Sequence, residues 1–246
     1  MRRSLRLLAM AVVLLPGCGD SDAPQVTQPS APPPIATPSG TWLRLANFSA
    51  DLAGAEVLLD GSTLRTSIAY PAVTRYRRID PGSHVVRFVP SGKTPVDERT
   101  VQLDATFEIM AGEAVTIVAA GLVVTRTLTV AVLRDELGTG AEGVRLRLVH
   151  AMSDFPASLS LWLNTETVLV RNVAFLEDRG YRSAAAGNYP LEIRRTGTRG
   201  PLLPVVPFGL AGDATYTMFA FGTLRQGDLD QRLVLDATLG NLALRR

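Results

Sequence analysis

His150, Ser153 and Asp154 stand close together in a chain of 246 residues. They are the side chain types from which a hydrolase assembles a base, a nucleophile and an orienting acid. Such a serine is presented on a strained turn, and the G-x-S-x-G pattern that marks one does not occur. An earlier stretch repeats the local pattern with Asp51 for Asp154 but with Asn47 for His150. Asp51 and Asp154 therefore read as structural turn residues, whose short side chains bond backbone N–H groups in an Asx-turn. No residue is assigned a catalytic role. The other histidine, His84, falls in a predicted hairpin strand and has no counterpart in the second copy.

Metal ligation is no better supported. Zinc wants clustered His and Cys, and the chain has 2 His and 1 Cys. Calcium wants several oxygen ligands on one loop. Asp228, Asp230 and Asp236 come nearest, ahead of Asp97-Glu98 and Asp135-Glu136, and none follows a calcium-loop pattern. The expectation is no metal and no cofactor, with a structural calcium on the acidic loops as the alternative.

Three aromatic residues are candidates for binding. Leu159, Leu161 and Leu163 alternate toward one face of a strand and leave Trp162 on the other. Trp162 is expected to pack on a neighbouring domain or crossing loop, or to offer a stacking platform to a sugar or a protein partner. Tyr70 and Phe155, each followed by proline, are loop aromatics open to the same two readings. Trp42 precedes the first strand, where it can pin the preceding segment to the fold. At 6% the aromatic content is low for a carbohydrate-binding module.

Cys18 carries the clearest chemistry. It follows a charged start (Arg2, Arg3, Arg6) and an apolar run from Leu7 to Leu15 that is too short to span a bilayer, so residues 1–17 read as a signal peptide. Leu15-Pro16-Gly17-Cys18 resembles the bacterial lipobox, with Pro16 departing from the usual small residue. The resemblance implies that Cys18 is acylated, with palmitate-type chains, and becomes the mature N-terminus. Two or more chains anchor stably. Gly19 rather than an acidic residue follows the cysteine, which favours the outer over the inner membrane in a Gram-negative cell.

Residues 18–40 hold Pro24, Pro29, Pro32, Pro33, Pro34 and Pro38 among small polar residues, the composition of an extended tether. At about 3.1 Å per residue it would reach roughly 70 Å. Without Arg2, Arg3 and Arg6, the 25 basic residues become 22 against 23 acidic ones, so nucleic acid is not an expected partner. The expected partners are a membrane, through Cys18, and an envelope protein or glycan.

The rest of the chain is two copies of one unit. Leu43-Arg44-Leu45 matches Leu146-Arg147-Leu148, Tyr76 matches Tyr181, Pro81-Gly82 matches Ala186-Gly187, and Thr116–Gly121 matches Thr217–Gly222. Short alternating apolar segments punctuated by glycine turns predict strands throughout. The fold class is all-β: two tandem β-sandwich domains of immunoglobulin-like size over residues 41–137 and 144–240, an open barrel being the alternative. Val132 to Gly143 joins them, and Gly138, Gly140 and Gly143 there suggest some freedom.

Val149-His-Ala-Met-Ser-Asp-Phe-Pro156, Ala186-Gly-Asn-Tyr189 and Ala211-Gly-Asp-Ala-Thr-Tyr-Thr-Met218, with Asp60-Gly61, Pro81-Gly82 and Ala111–Thr116 in the first copy, resemble the family catalogued as domain of unknown function 4397. The resemblance spans about residues 41–240. It implies secreted or cell-surface β-modules, often in tandem, and supplies no catalytic residues. The expected function is a lipid-anchored, non-enzymatic binding or structural module of the cell envelope. A carbohydrate-binding or adhesion module is the alternative, and a hydrolase with a cleft between the repeats a more distant one.

Overall fold

A computed structural model of the chain describes residues 40–90, 103–138 and 143–238. The expected signal peptide, Cys18 and nearly all of the tether lie outside the described residues, as do Asp97-Glu98 and the end of the second repeat at 239–240. Among the described residues there is no helix and the strands dominate.

The first repeat contributes β1 (Thr41–Asn47), β2 (Gly54–Leu59), β3 (Ser62–Ala69), β4 (Ala72–Val73), β5 (Arg77–Ile79), β6 (Gly82–Pro90), β7 (Asp104–Ile109), β8 (Ala114–Ala120) and β9 (Thr129–Asp135). The second contributes β10 (Val144–Met152), β11 (Leu159–Trp162), β12 (Val168–Val173), β13 (Arg182–Ala184), β14 (Gly187–Arg195), β15 (Val206–Leu210), β16 (Ala214–Gly222) and β17 (Asp230–Thr238).

Each repeat is a two-layer sandwich. The outer sheets run β3-β2-β6-β7 and β12-β11-β14-β15. The inner sheets run β4-β1-β8-β9, with β5 also on β1, and β13-β10-β16-β17. In both inner sheets the central pair is parallel, β1 with β8 and β10 with β16. In the first outer sheet β6 alternates simply, turning Val86 and Phe88 inward and leaving Val85 and Arg87 exposed. Asp60-Gly61 closes the β2–β3 hairpin with φ of 51° and 79°, a pair that a type I′ turn demands and that Asp-Gly tolerates.

The inner strands do not alternate. β8 and β16 are buried at every position. One set of faces fills the sandwich cores, with Leu43, Leu45, Val115 and Ile117 in the first and Leu146, Leu148, Met218 and Ala220 in the second. The opposite faces meet each other. Ala46, Phe48, Val118, Ala120 and Leu133 of the first repeat pack in one cluster with Val149, Ala151, Phe219 and Phe221 of the second. The Phe48 ring lies 4.9 Å from Phe219 and 4.8 Å from Phe221 between centroids. Four sheets are thereby stacked, and the described residues form one compact unit. The freedom expected from the connecting glycines is not what the described residues show. Of the segment expected to link the repeats, Val132–Asp135 belongs to β9, and Asp135 sits in the contact itself.

The loops after β8 and β16 are matched glycine turns. Gly121 has φ +98°, and a Cβ there would lie 2.1 Å from the Thr127 carbonyl oxygen; Gly222 has φ +100°, with 2.4 Å to that of Asp228. Gly121→Ala is expected to cost at least about 2 kcal/mol, from left-handed strain plus a backbone clash. A urea midpoint lowered to match is the check, and an unchanged midpoint would contradict this geometry.

Candidate functional site

A strand buried on both faces should carry only apolar residues, yet each inner sheet places an arginine, a threonine and an aspartate there. Arg44 and Arg147 are each 1% exposed. Arg44 donates from Nε to Thr116 Oγ1 at 3.0 Å and from Nη1 to Asp236 Oδ1, in the other repeat, at 2.6 Å. Arg147 donates from Nε to Thr217 Oγ1 at 3.0 Å and from Nη2 to Asp135 Oδ1, again across the contact. The tyrosines complete the exchange. Tyr76 Oη donates to Asp135 Oδ2 at 2.7 Å, and Tyr181 Oη to Asp236 Oδ2 at 2.9 Å. Thr116 and Thr217 donate to the same two aspartates. Each guanidinium also lies over its own repeat's tyrosine, Arg44 at 4.6 Å from the Tyr76 centroid and Arg147 at 4.7 Å from that of Tyr181.

The arrangement is reciprocal: each repeat gives an arginine and receives an aspartate. Charge is balanced, so the desolvation of four ions is compensated within the cluster. Burial alone would push the Asp135 carboxyl up, but Arg147 and Arg44 outweigh it and hold its pKa below the usual carboxylate range. Burial likewise opposes the charge on Arg44, where Asp236 leads the groups that outweigh it, and on Arg147, where Asp135 does; both pKa values are raised. Tyr76 and Tyr181 are pushed well above the ordinary tyrosine value, first by burial and then by the facing carboxylates, and stay protonated donors. A charge-balanced cluster of this kind favours one register for the two sheets; well-packed apolar side chains could supply comparable stability. It is a lock between repeats.

Asp135 and Asp236, named in the sequence as acidic candidates for calcium, are in the lock, and the other residues singled out there fall elsewhere. His150, Ser153 and Asp154 are not bonded to one another. His150 Nε2 pairs with the Phe155 carbonyl at 3.1 Å, while its Nδ1 accepts the Met152 N–H at 3.2 Å. Asn47 makes the same two bonds, donating to the Leu52 carbonyl at 2.9 Å and accepting the Ser49 N–H at 3.1 Å. The two residues are interchangeable clamps. Ser153 Oγ accepts the Gly121 N–H at 3.1 Å, a bond between repeats.

Asp51 accepts N–H groups from Val123 and Val124 at 2.8 and 2.9 Å, and Asp154 accepts those of Leu224 and Arg225 at 2.5 and 3.1 Å. These bonds tie the start of each repeat to the loop after its third inner strand, so they are long-range rather than the local Asx-turn expected. Asp51→Ala leaves two amides unpaired and is expected to cost about 1–2 kcal/mol. Faster amide hydrogen exchange at Val123 and Val124 is the specific sign; unchanged exchange would rule the tie out.

Phe155 is 9% exposed and belongs to the second core, and Tyr70 is half-buried, donating to Asp228 Oδ2 at 3.3 Å with its ring edge-on to Phe221. Both are packing residues and not free loop platforms. Burial, with Asp228 adding to it, pushes Tyr70 up to about 12. Trp162 does point away from Leu159, Leu161 and Leu163, on the outer face of its sheet. Among the described residues its neighbours are arginines of its own repeat: the Arg194 guanidinium lies 4.1 Å from its ring centroid and that of Arg171 5.4 Å. Trp42 packs at the seam with Leu137 and Ala237.

His84 lies at the surface, 2.7 Å from Asp60 and 2.9 Å from the Asp80 carbonyl. No group of three or more His, Cys, Asp or Glu that could hold a metal occurs among the described residues. Asp236 is committed to the lock, Asp228 to Thr223 and Tyr70, and Glu136 to Arg145.

Comparison with curated proteins finds no match to the chain. A family model does match, over residues 41–159, which take in the first repeat, the connecting segment, β10 and the first residue of β11. The remainder of the second repeat, included in the resemblance read from the sequence, lies beyond that match. Residues 41–159 are similar to the family described as Domain of unknown function (DUF4397).

Proposed function

We propose that the protein is a lipid-anchored module of the bacterial cell envelope that binds or braces another envelope component without turning it over. The observation that carries this reading is the reciprocal Arg–Asp lock. Arg44, Arg147, Asp135 and Asp236, with Tyr76 and Tyr181, are spent on fixing two sandwiches in one register, while buried His150 is a backbone clamp and buried Glu192 and Arg194 pair with each other. That is the requirement of a rigid presenting body. The lipobox-like Leu15–Cys18 and the Pro-rich residues after it supply an anchor and a spacer, with the outer membrane favoured by Gly19.

The stacking form of carbohydrate binding draws no support from the surface. The large exposed apolar side chains among the described residues are aliphatic, such as Met110, Val124 and Leu224, and form no aromatic row. Growth with an alkyne-bearing palmitate analogue tests the anchor. Label on the parent protein, lost in Cys18→Ala together with membrane fractionation, is expected; an unlabelled parent would remove the lipid from the account.

A further inference from the structure

The two repeats differ most where the lock meets solvent. Arg147 is saturated: besides Thr217 and Asp135, its Nη1 donates to the Arg134 carbonyl at 2.8 Å and reaches Asp178 at 3.4 Å. Arg44 is not, since its Nη2 is buried without a hydrogen-bond acceptor and has only the Asp135 carboxylate at 3.9 Å. The offset that relates Tyr76 to Tyr181 places Val73 where the second repeat has Asp178, and Ala72 where it has Glu177. The first repeat therefore lacks the acceptor that the second supplies to the same arginine.

The surface beside Arg44 differs between the repeats as well. Arg44 lines a depression of about 530 Å³ at the seam, together with Thr74, Arg75 and Tyr76. Thr74 and Arg75 also line a second depression of about 580 Å³ between β3 and β4, with Arg65 and Ser67 on its far side. A smaller hollow beside them is bounded by Arg65, Arg75 and Arg77. These three arginines are exposed and have no carboxylate partner among the described residues. In the second repeat the positions of Arg65 and Arg75 hold Val170 and Gly180. The basic groove is thus a property of one copy and no requirement of the fold.

We infer that this groove of the first repeat binds an acidic oligosaccharide, whose carboxylates pair with the exposed Arg65, Arg75 and Arg77. Guanidinium forks match carboxylates bidentately, and hydroxyl groups of Ser67 and Thr74 line the same surface. An acidic peptide added as a strand to β3 is the poorer fit. Arg77 Nη1 and Arg65 Nε already donate to the β3 carbonyls of Leu64 and Ser67, each at 3.0 Å, and the β2–β3 register is broken by irregularities. Recognition by charge also accords with a surface that lacks an aromatic row.

The inference deepens the proposed binding role and rests on it. Palmitate labelling is independent of it, so a labelled Cys18 without binding would remove the groove and keep the anchor. The test is calorimetric titration of the full chain in detergent with oligogalacturonate, beside neutral dextran oligomers and poly-L-glutamate. Saturable binding of oligogalacturonate is expected, weakened at least about tenfold in Arg65→Ser/Arg75→Ser and unchanged in Arg182→Ser, the second-repeat counterpart of Arg77. Both altered arginines are exposed, and an unchanged melting midpoint would show the double variant folded; Arg75→Ser alone serves if it is not. No binding of oligogalacturonate, equal binding of dextran, tighter binding of polyglutamate, or undiminished binding by the folded variant would each overturn the assignment.

Discussion

Asp135→Ala is expected to lower the unfolding free energy by about 3–5 kcal/mol, the loss that follows when one partner leaves a buried ion pair. The carboxylate receives Arg147, Tyr76 and Thr116 and also faces Arg44. Its removal leaves the Arg147 guanidinium, 1% exposed, with only the longer 3.4 Å contact to Asp178 as a carboxylate partner. Tyr76→Phe removes one donor and leaves the ions paired, so about 1 kcal/mol is expected. The order of these two losses in chemical denaturation is the diagnostic. Equal small effects would mean that the network is wet and screened.

Stability is expected to fall by about 3 kcal/mol as pH drops from about 6.5 to about 4, through His150 alone. Burial lowers this imidazole to about 4, only partly offset by its hydrogen bonds to the backbone of Phe155 and Ala157. Its Nδ1 accepts the Met152 N–H, so a second proton has no place to sit. In that pH window the unfolded chain binds a proton that the folded chain refuses, so stability is full above the unfolded value and lost as pH falls toward the folded one. His84 acts in the opposite sense. Burial opposes its charge, but the bonds to Asp60 and Asp80 outweigh that and raise its pKa, so its small surface contribution is present at low pH and lost as pH rises through the raised value. His150→Asn installs the clamp that Asn47 already provides and should flatten the acid limb while keeping the fold. An unchanged acid limb in that variant would place the titration elsewhere.

The members of the lock are all visible in the sequence, and much of the fold with them. The near-constant offset that pairs Leu43-Arg44-Leu45 with Leu146-Arg147-Leu148 and Tyr76 with Tyr181 also relates Asp135 to Asp236 and Thr116 to Thr217. What local periodicity hides is the second burial. An arginine between two leucines reads as the solvent face of a half-buried strand, because alternation reports only that its neighbours point the other way. The signal that could have corrected this was the unbroken apolar character of Thr116–Ala120 and Met218–Phe221, the mark of a strand covered on both faces. The clamp role of His150 was legible in part, since Asn47 at the matching position argued against a catalytic base. The Asp51 and Asp154 ties were not, because the loops whose N–H groups they accept lie some seventy residues away along the chain. Nor was the packing of Phe155 and Tyr70, which depends on cores that loop sequences do not announce.

Differential scanning calorimetry of the full chain and of Asp135→Ala tests most directly whether the two repeats are one locked body. A single transition is expected for the parent, with its calorimetric enthalpy equal to the van't Hoff value. Asp135→Ala should shift that whole transition downward, even though the substitution lies in the first repeat. Two separate transitions in the parent, or a variant in which only part of the heat moves, would contradict the lock and return the repeats to independent domains on a flexible joint.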